Sequence, residues 1–150
     1  MHGMRRALLF GLALGLALAG VAVASGYKTG LYAAGHPKTG AGVRMKVRTG
    51  SFSVPIIRYH ETCKYGSRTW VDYFTFQSGS SASLRGTIDQ SGRFSGRYSS
   101  SAGTAAVSGR LQGSTATINS SEHGPYNPAT TVHPNSCRGS HTFQARLKTG

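Results

Sequence analysis

"TIDQSGRFSGRY", residues 87–98, decides how the rest of the chain is read. Ile88, Phe94 and Tyr98 keep the spacing of one face of a ribbon, and Asp89, Arg93 and Arg97 keep that of the other. Between the two runs, Gln90-Ser91-Gly92 has the make-up of a three-residue hairpin loop in which Gly92 takes the left-handed position. Such a loop sets Ile88 opposite Phe94, Asp89 opposite Arg93, Leu84 opposite Tyr98 and Arg85 opposite Arg97. Every apolar pair then falls on one face, and a slip of one residue would scatter them.

The same device recurs on either side. In "GVRMKVRTGSFSV" (42–54), Val43, Met45 and Val47 alternate with Arg44, Lys46 and Arg48. A Thr49-Gly50 turn there pairs Val47 with Phe52 and Met45 with Val54. In "VSGRLQGSTATI" (107–118), Val107, Gly109 and Leu111 face Ala116 and Ile118 across Gly113-Ser114, which suits a primed turn. Further strands are predicted at Gly30–Ala34, Ile56–Thr62, Thr69–Gln77 and Thr142–Lys148. No stretch after residue 26 carries a helical period, and turn residues recur at roughly the 8–12-residue spacing of all-β folds. The expectation is an all-β, antiparallel meander of about 8–9 strands, a β-sandwich or an up-and-down barrel. Small residues at the inward positions 86, 96, 109, 116 and 145 favour the sandwich. Trp70, Phe74 and Phe76 are expected in the densest part of the core. Asp72 shares their parity, which reads as a strand bulge in preference to a buried carboxylate. Residues 120–140, "SSEHGPYNPATTVHPNSCRGS", read as a long loop tied down by Cys137.

Residues 1–24 read as a signal peptide, with Arg5 and Arg6 ahead of the uncharged apolar run 7–24 and Ala22-Val23-Ala24 as the cleavage motif. An uncleaved membrane anchor is the rival, since 18 apolar residues lie at the lower edge of a span. The remainder, 25–150, is one secreted domain. Without Arg5 and Arg6 it holds 15 basic residues against four acidic ones, a net charge of +11. That charge favours polyanions, although arginine-rich usage also follows from GC-rich coding. Arg85, Arg93, Arg97 and Arg110 all point away from the core in this register and form the candidate anion-binding set. A guanidinium fork suits phosphate or carboxylate, and the competing view is that salt merely screens them.

Cys63 and Cys137 are the sole cysteines, an even count in an exported chain, so a disulfide is the default. It consumes the one kind of thiol nucleophile the chain could offer. His123, His133 and His141, with Glu122, match no ligand spacing, so no metal and no cofactor are assigned. Nucleophile-elbow, P-loop and dinucleotide motifs are absent, and no catalytic residue is assigned. Glycoside hydrolysis would require two of Glu61, Asp72, Asp89 and Glu122 to converge. The tyrosines interleaved with basic residues mostly share the core parity, which argues against specific nucleic-acid binding.

Five stretches carry a resemblance: "TGLYAAG", "CKYG" leading to "WVDYFTF", "IDQSGRFSG", "VSGRLQG" and "CRGSHTFQARLK". Together they resemble a set of small secreted all-β proteins of actinobacterial type, of unknown function. The resemblance spans nearly the whole of 25–150, through short, turn-driven motifs. It implies an extracellular β domain with a Cys63–Cys137 disulfide and supplies no catalytic residue. The functional expectation is a non-catalytic extracellular or envelope-associated domain binding an anionic polymer or other polyanion through its arginine face. The alternative is a small-molecule carrier with a calycin-like barrel cavity. Membrane contact is expected only through an uncleaved signal segment, and the sequence leaves the oligomeric state open.

Overall fold

A computed structural model describes residues 26–125 and 136–150. The expected signal segment lies outside the described residues, as does the middle of the expected loop with His133. Among the described residues the period-two runs become nine antiparallel strands: β1 (Gly30–Gly35), β2 (Gly42–Arg48), β3 (Ser51–Tyr65), β4 (Arg68–Gln77), β5 (Arg85–Ile88), β6 (Arg93–Ser100), β7 (Gly103–Gln112), β8 (Thr115–Pro125) and β9 (Ser136–Leu147). All belong to one sheet in the order β2-β1-β9-β8-β7-β6-β5-β3-β4. Additional β2–β3 and β9–β3 pairings bring it back on itself, so the sheet is ring-like, and β4 pairs with β3 alone, from Ile56 to Tyr65, along the edge that β5 takes from Ser51 to Ser53. The all-β antiparallel expectation holds. Among the described residues the strands form one sheet and not the two packed sheets that the small inward residues favoured.

The local hairpins form in the expected registers. Ile88 faces Phe94, Val47 faces Phe52, and Leu111 faces Ala116. Gly92 takes φ 81°. Asp89 closes its loop by accepting from the backbone N–H of Ser91 (2.8 Å) and Arg93 (2.9 Å). Met45 and Val54 are both fully buried, but the ladder slips between Arg44 and Lys46. Val54 and Pro55 thus oppose the single residue Met45. A proline has no N–H to give a ladder, and a bulge is where a strand tolerates one. The strand expected to end at Val54 and the one expected at Ile56–Thr62 are joined across Pro55 into the single β3.

The inward glycines do something other than thin a sandwich. A Cβ on Gly96 would lie 2.9 Å from Phe52 Cζ, and one on Gly109 would lie 2.8 Å from Phe94 Cζ. The two rings therefore rest directly on bare backbone, 5.0 Å apart between centroids. Around them the fully buried side chains are Tyr32, Tyr59, Met45, Ile57, Leu84, Leu111 and Ile118 among others. Tyr27 is buried at one end of the ring and its hydroxyl accepts from Gly50 N–H (3.1 Å).

Three expectations need correction. Of Trp70, Phe74 and Phe76, only Phe76 reaches the core; Phe74 packs against it and Trp70 is half-buried. Alternation gives a strand two faces without saying how much of its length the core covers; Phe76 pairs with the buried Ile57, whereas Trp70 lies near the hairpin end at the exposed Tyr65. Asp72 makes no bulge, because β3 and β4 pair without a break from Ile56 opposite Gln77 to Tyr65 opposite Arg68. Its Oδ1 instead accepts from Tyr73 N–H (2.7 Å). Finally, much of the expected 120–140 loop is strand, paired from Ser120 opposite His141 to Pro125 opposite Ser136.

Candidate functional site

Register turns the outward positions into rows that cross the sheet. One row runs Arg48, Ser51, Thr87, Ser95, Ser108, Asn119 and Thr142. A neighbouring row runs Lys46, Ser53 and Arg85, then continues on β6 to β9 as Arg97, Ala106, Ser121 and Ser140. The floor is thus hydroxyl and amide, with cations concentrated on β2, β5, β6 and β7. A groove of about 560 Å³ lies over Lys46, Arg48, Ser51, Ser53 and Arg85. A shallow groove of about 800 Å³ passes over Ser95, Arg97, Ser108, Asn119, Ser121 and Thr142. Short side chains leave that space, and Thr142 Oγ1 donates to Asn119 Oδ1 (2.8 Å) across its floor.

All four arginines expected to face outward are exposed. They divide into two groups. Arg93 stands directly opposite Arg110 on β6–β7. Arg85 and Arg97 occupy the rung beyond the last β5–β6 pair, Gly86 opposite Gly96. Like charges directly opposed across a ladder repel, so an anion between Arg93 and Arg110 would relieve a cost the protein otherwise carries. Lys46 and Arg48 join the group around Arg85, a neighbourhood the sequence reading missed. The β3–β5 pairing that makes it skips over β4 and leaves no mark in local spacing.

The acids are arranged oppositely. Glu61 on β3 and Glu122 on β8 are buried inside the ring, beside the disulfide. Between them lies Gly139 on β9, opposite Glu122 in register. A Cβ there would come within 3.1 Å of Glu61 Cβ and 3.0 Å of Tyr59 Cε2, so the missing side chain lets the carboxyl groups meet. They hydrogen-bond to each other. Burial, then the Glu61 carboxylate, pushes Glu122 up to about 8, and burial also raises Glu61. Glu122 therefore holds the proton and donates it to Glu61. Tyr59 accepts from Ser120 Oγ (3.2 Å), and burial holds its hydroxyl well above the usual phenol range. At the surface end of the charge balance, Asp89 is held below the usual carboxylate range by its bonds to Ser91 and Arg93.

Cys63 and Cys137 are directly opposed across β3–β9 and form a disulfide, with Cα atoms 4.0 Å apart. Their sulfurs lie near the Glu61 carboxylate, but a disulfide sulfur is not the thiolate a metal requires. Glu122 and His123 are adjacent on one strand, with Glu122 buried and His123 exposed, so that pair does not converge. Two carboxyl groups do meet, as glycoside hydrolysis would need. They touch directly, whereas a glycosidase pair stands about 5 Å or more apart to admit the scissile bond. No family model matches the chain, and neither a curated protein nor a solved structure matches it.

Proposed function

We propose that this is an exported, non-catalytic domain that binds an anionic polymer of the cell envelope across the outer face of β2, β3, β5, β6 and β7. The observation that carries the reading is the band of Lys46, Arg48, Arg85, Arg93, Arg97 and Arg110 over a hydroxyl floor. Few acids oppose it. Glu61 and Glu122 are buried, and Asp89 is occupied by its own loop. Five neighbouring strands span about 19 Å at the usual strand separation, which fits a chain of charges better than a single ion. Arginine forks can take phosphate or carboxylate bidentately, while serine and threonine hydroxyls serve sugar or glycerol oxygens. The disulfide accords with an oxidising, extracytoplasmic compartment.

The test is retention on an anionic polymer column at low salt. Replacing Arg85 and Arg97 by glutamine should shift elution to clearly lower salt. Replacing Lys38 and Lys64, which removes the same charge away from the band, should shift it much less. Equal shifts in the two variants would mean that net charge alone binds, and no shift in either would remove the reading.

A further inference from the structure

A cleft of about 200 Å³ opens at the disulfide end of the ring, on the inner side of the sheet. Glu61 and Glu122 are its carboxyl groups, Thr75, Ser100, Thr104 and His123 also line it, and Phe74, Phe76, Tyr98 and Ala105 supply carbon walls. Phe76 and Tyr98 hold their rings 5.3 Å apart and tilted, so the wall is aromatic on both β4 and β6. Glu122 is only 8% exposed, and among the described residues its buried Oε1 has no hydrogen-bond donor. Buried acceptors are ordinarily paired, and one left open beside a cleft is a place for a donor from outside. Ser120 and Tyr59 bond to each other and leave that oxygen unmet.

We propose that this cleft binds a small ligand carrying a protonated amine on an apolar body, the amine meeting Glu61 and Glu122 and the body lying against Phe74, Phe76 and Tyr98. An ammonium has several donors for the two carboxyl groups and is attracted to the faces of aromatic rings. A divalent ion is a poor match, since calcium wants six to eight oxygens and the larger part of this lining is carbon. An anion would meet carboxylates at the bottom. The volume is below the roughly 300 Å³ at which drug-sized pockets begin, so the ligand is small. A carrier role would thus rest on this end cleft, not on a calycin-like cavity through the ring, whose middle is filled by core side chains.

The site lies across the sheet from the arginine band, so its failure would leave the column result untouched. The probes are 2-phenylethylamine, 2-phenylethanol and phenylacetate, titrated calorimetrically into the disulfide-bonded domain. The amine should bind about 10- to 100-fold more tightly than the alcohol, the range expected for hydrogen bonds to a charged group, and phenylacetate should not bind. Replacing Glu61 and Glu122 together by glutamine, which removes the negative charge of the pair, should bring the amine down to the level of the alcohol. Should that variant fail to fold, the comparison of the three probes on the native protein still decides. Equal affinity for amine and alcohol, or no amine binding, overturns the proposal.

Discussion

Gly109 has no side chain because the Phe94 ring and the Thr117 carbonyl occupy the place where one would go. Gly109→Ala should therefore destabilise the domain by about 1–3 kcal/mol, as overpacking does, lowering the urea midpoint at unchanged m-value. Glu122 sets a second expectation. It binds its proton more tightly when folded than its ordinary value of 4.5, up to about 8. Its contribution to stability is full below pH ~4.5 and is lost as pH rises through ~8, because the native state then holds the extra proton. The melting temperature should fall across that window in the native protein and stay flatter in Glu122→Gln. Inward glycines were legible in the sequence because their neighbours alternate cleanly around them. The carboxyl pair was not: Ser120, Glu122 and Gly124 face inward but are polar or bare, so the period-two signal goes silent where the interior stops being greasy.

Each hairpin is a local object, and that is why three of them could be read from spacing. Turn chemistry at Gly50, Gly92 and Gly113, all at positive φ, fixes the registers without help from the rest of the chain. Pairings between distant strands leave no such trace. The meeting of β3 with β9 could be inferred only through the cysteines, and the partial exposure of Trp70 on β4 not at all, since it alternates as a core residue would. Two expectations belong here. Asp89→Ala removes the acceptor that closes the β5–β6 loop and should lower the denaturation midpoint. In the native protein that carboxylate's contribution is present above its ordinary 3.8 and lost as pH falls through its lowered value. Replacing Cys63 and Cys137 together by alanine frees a closure over 74 residues of sequence. Calorimetry should show a loss of about 2–5 kcal/mol.

Taken whole, the chain separates its charge by the thickness of one sheet. Cations stand outside on β2, β5, β6 and β7, while two of the four acids are inside, one of them protonated. The surface is thus more basic than composition alone conveys, and the basic residues are aligned in rows by the ladder. That alignment was half legible: the outward parity of Arg85, Arg93, Arg97 and Arg110 followed from alternation, whereas the company of Lys46 and Arg48 required the closed ring. The most direct measurement is to titrate the labelled domain with a short linear polyphosphate at low salt and follow backbone amide shifts. Shifts concentrated at 46–53, 85–87, 93–97 and 108–110 are expected, fading as salt is added. Shifts spread evenly over the surface, or gathered at Lys38, Lys64 and Lys148 instead, would contradict a binding face on this sheet.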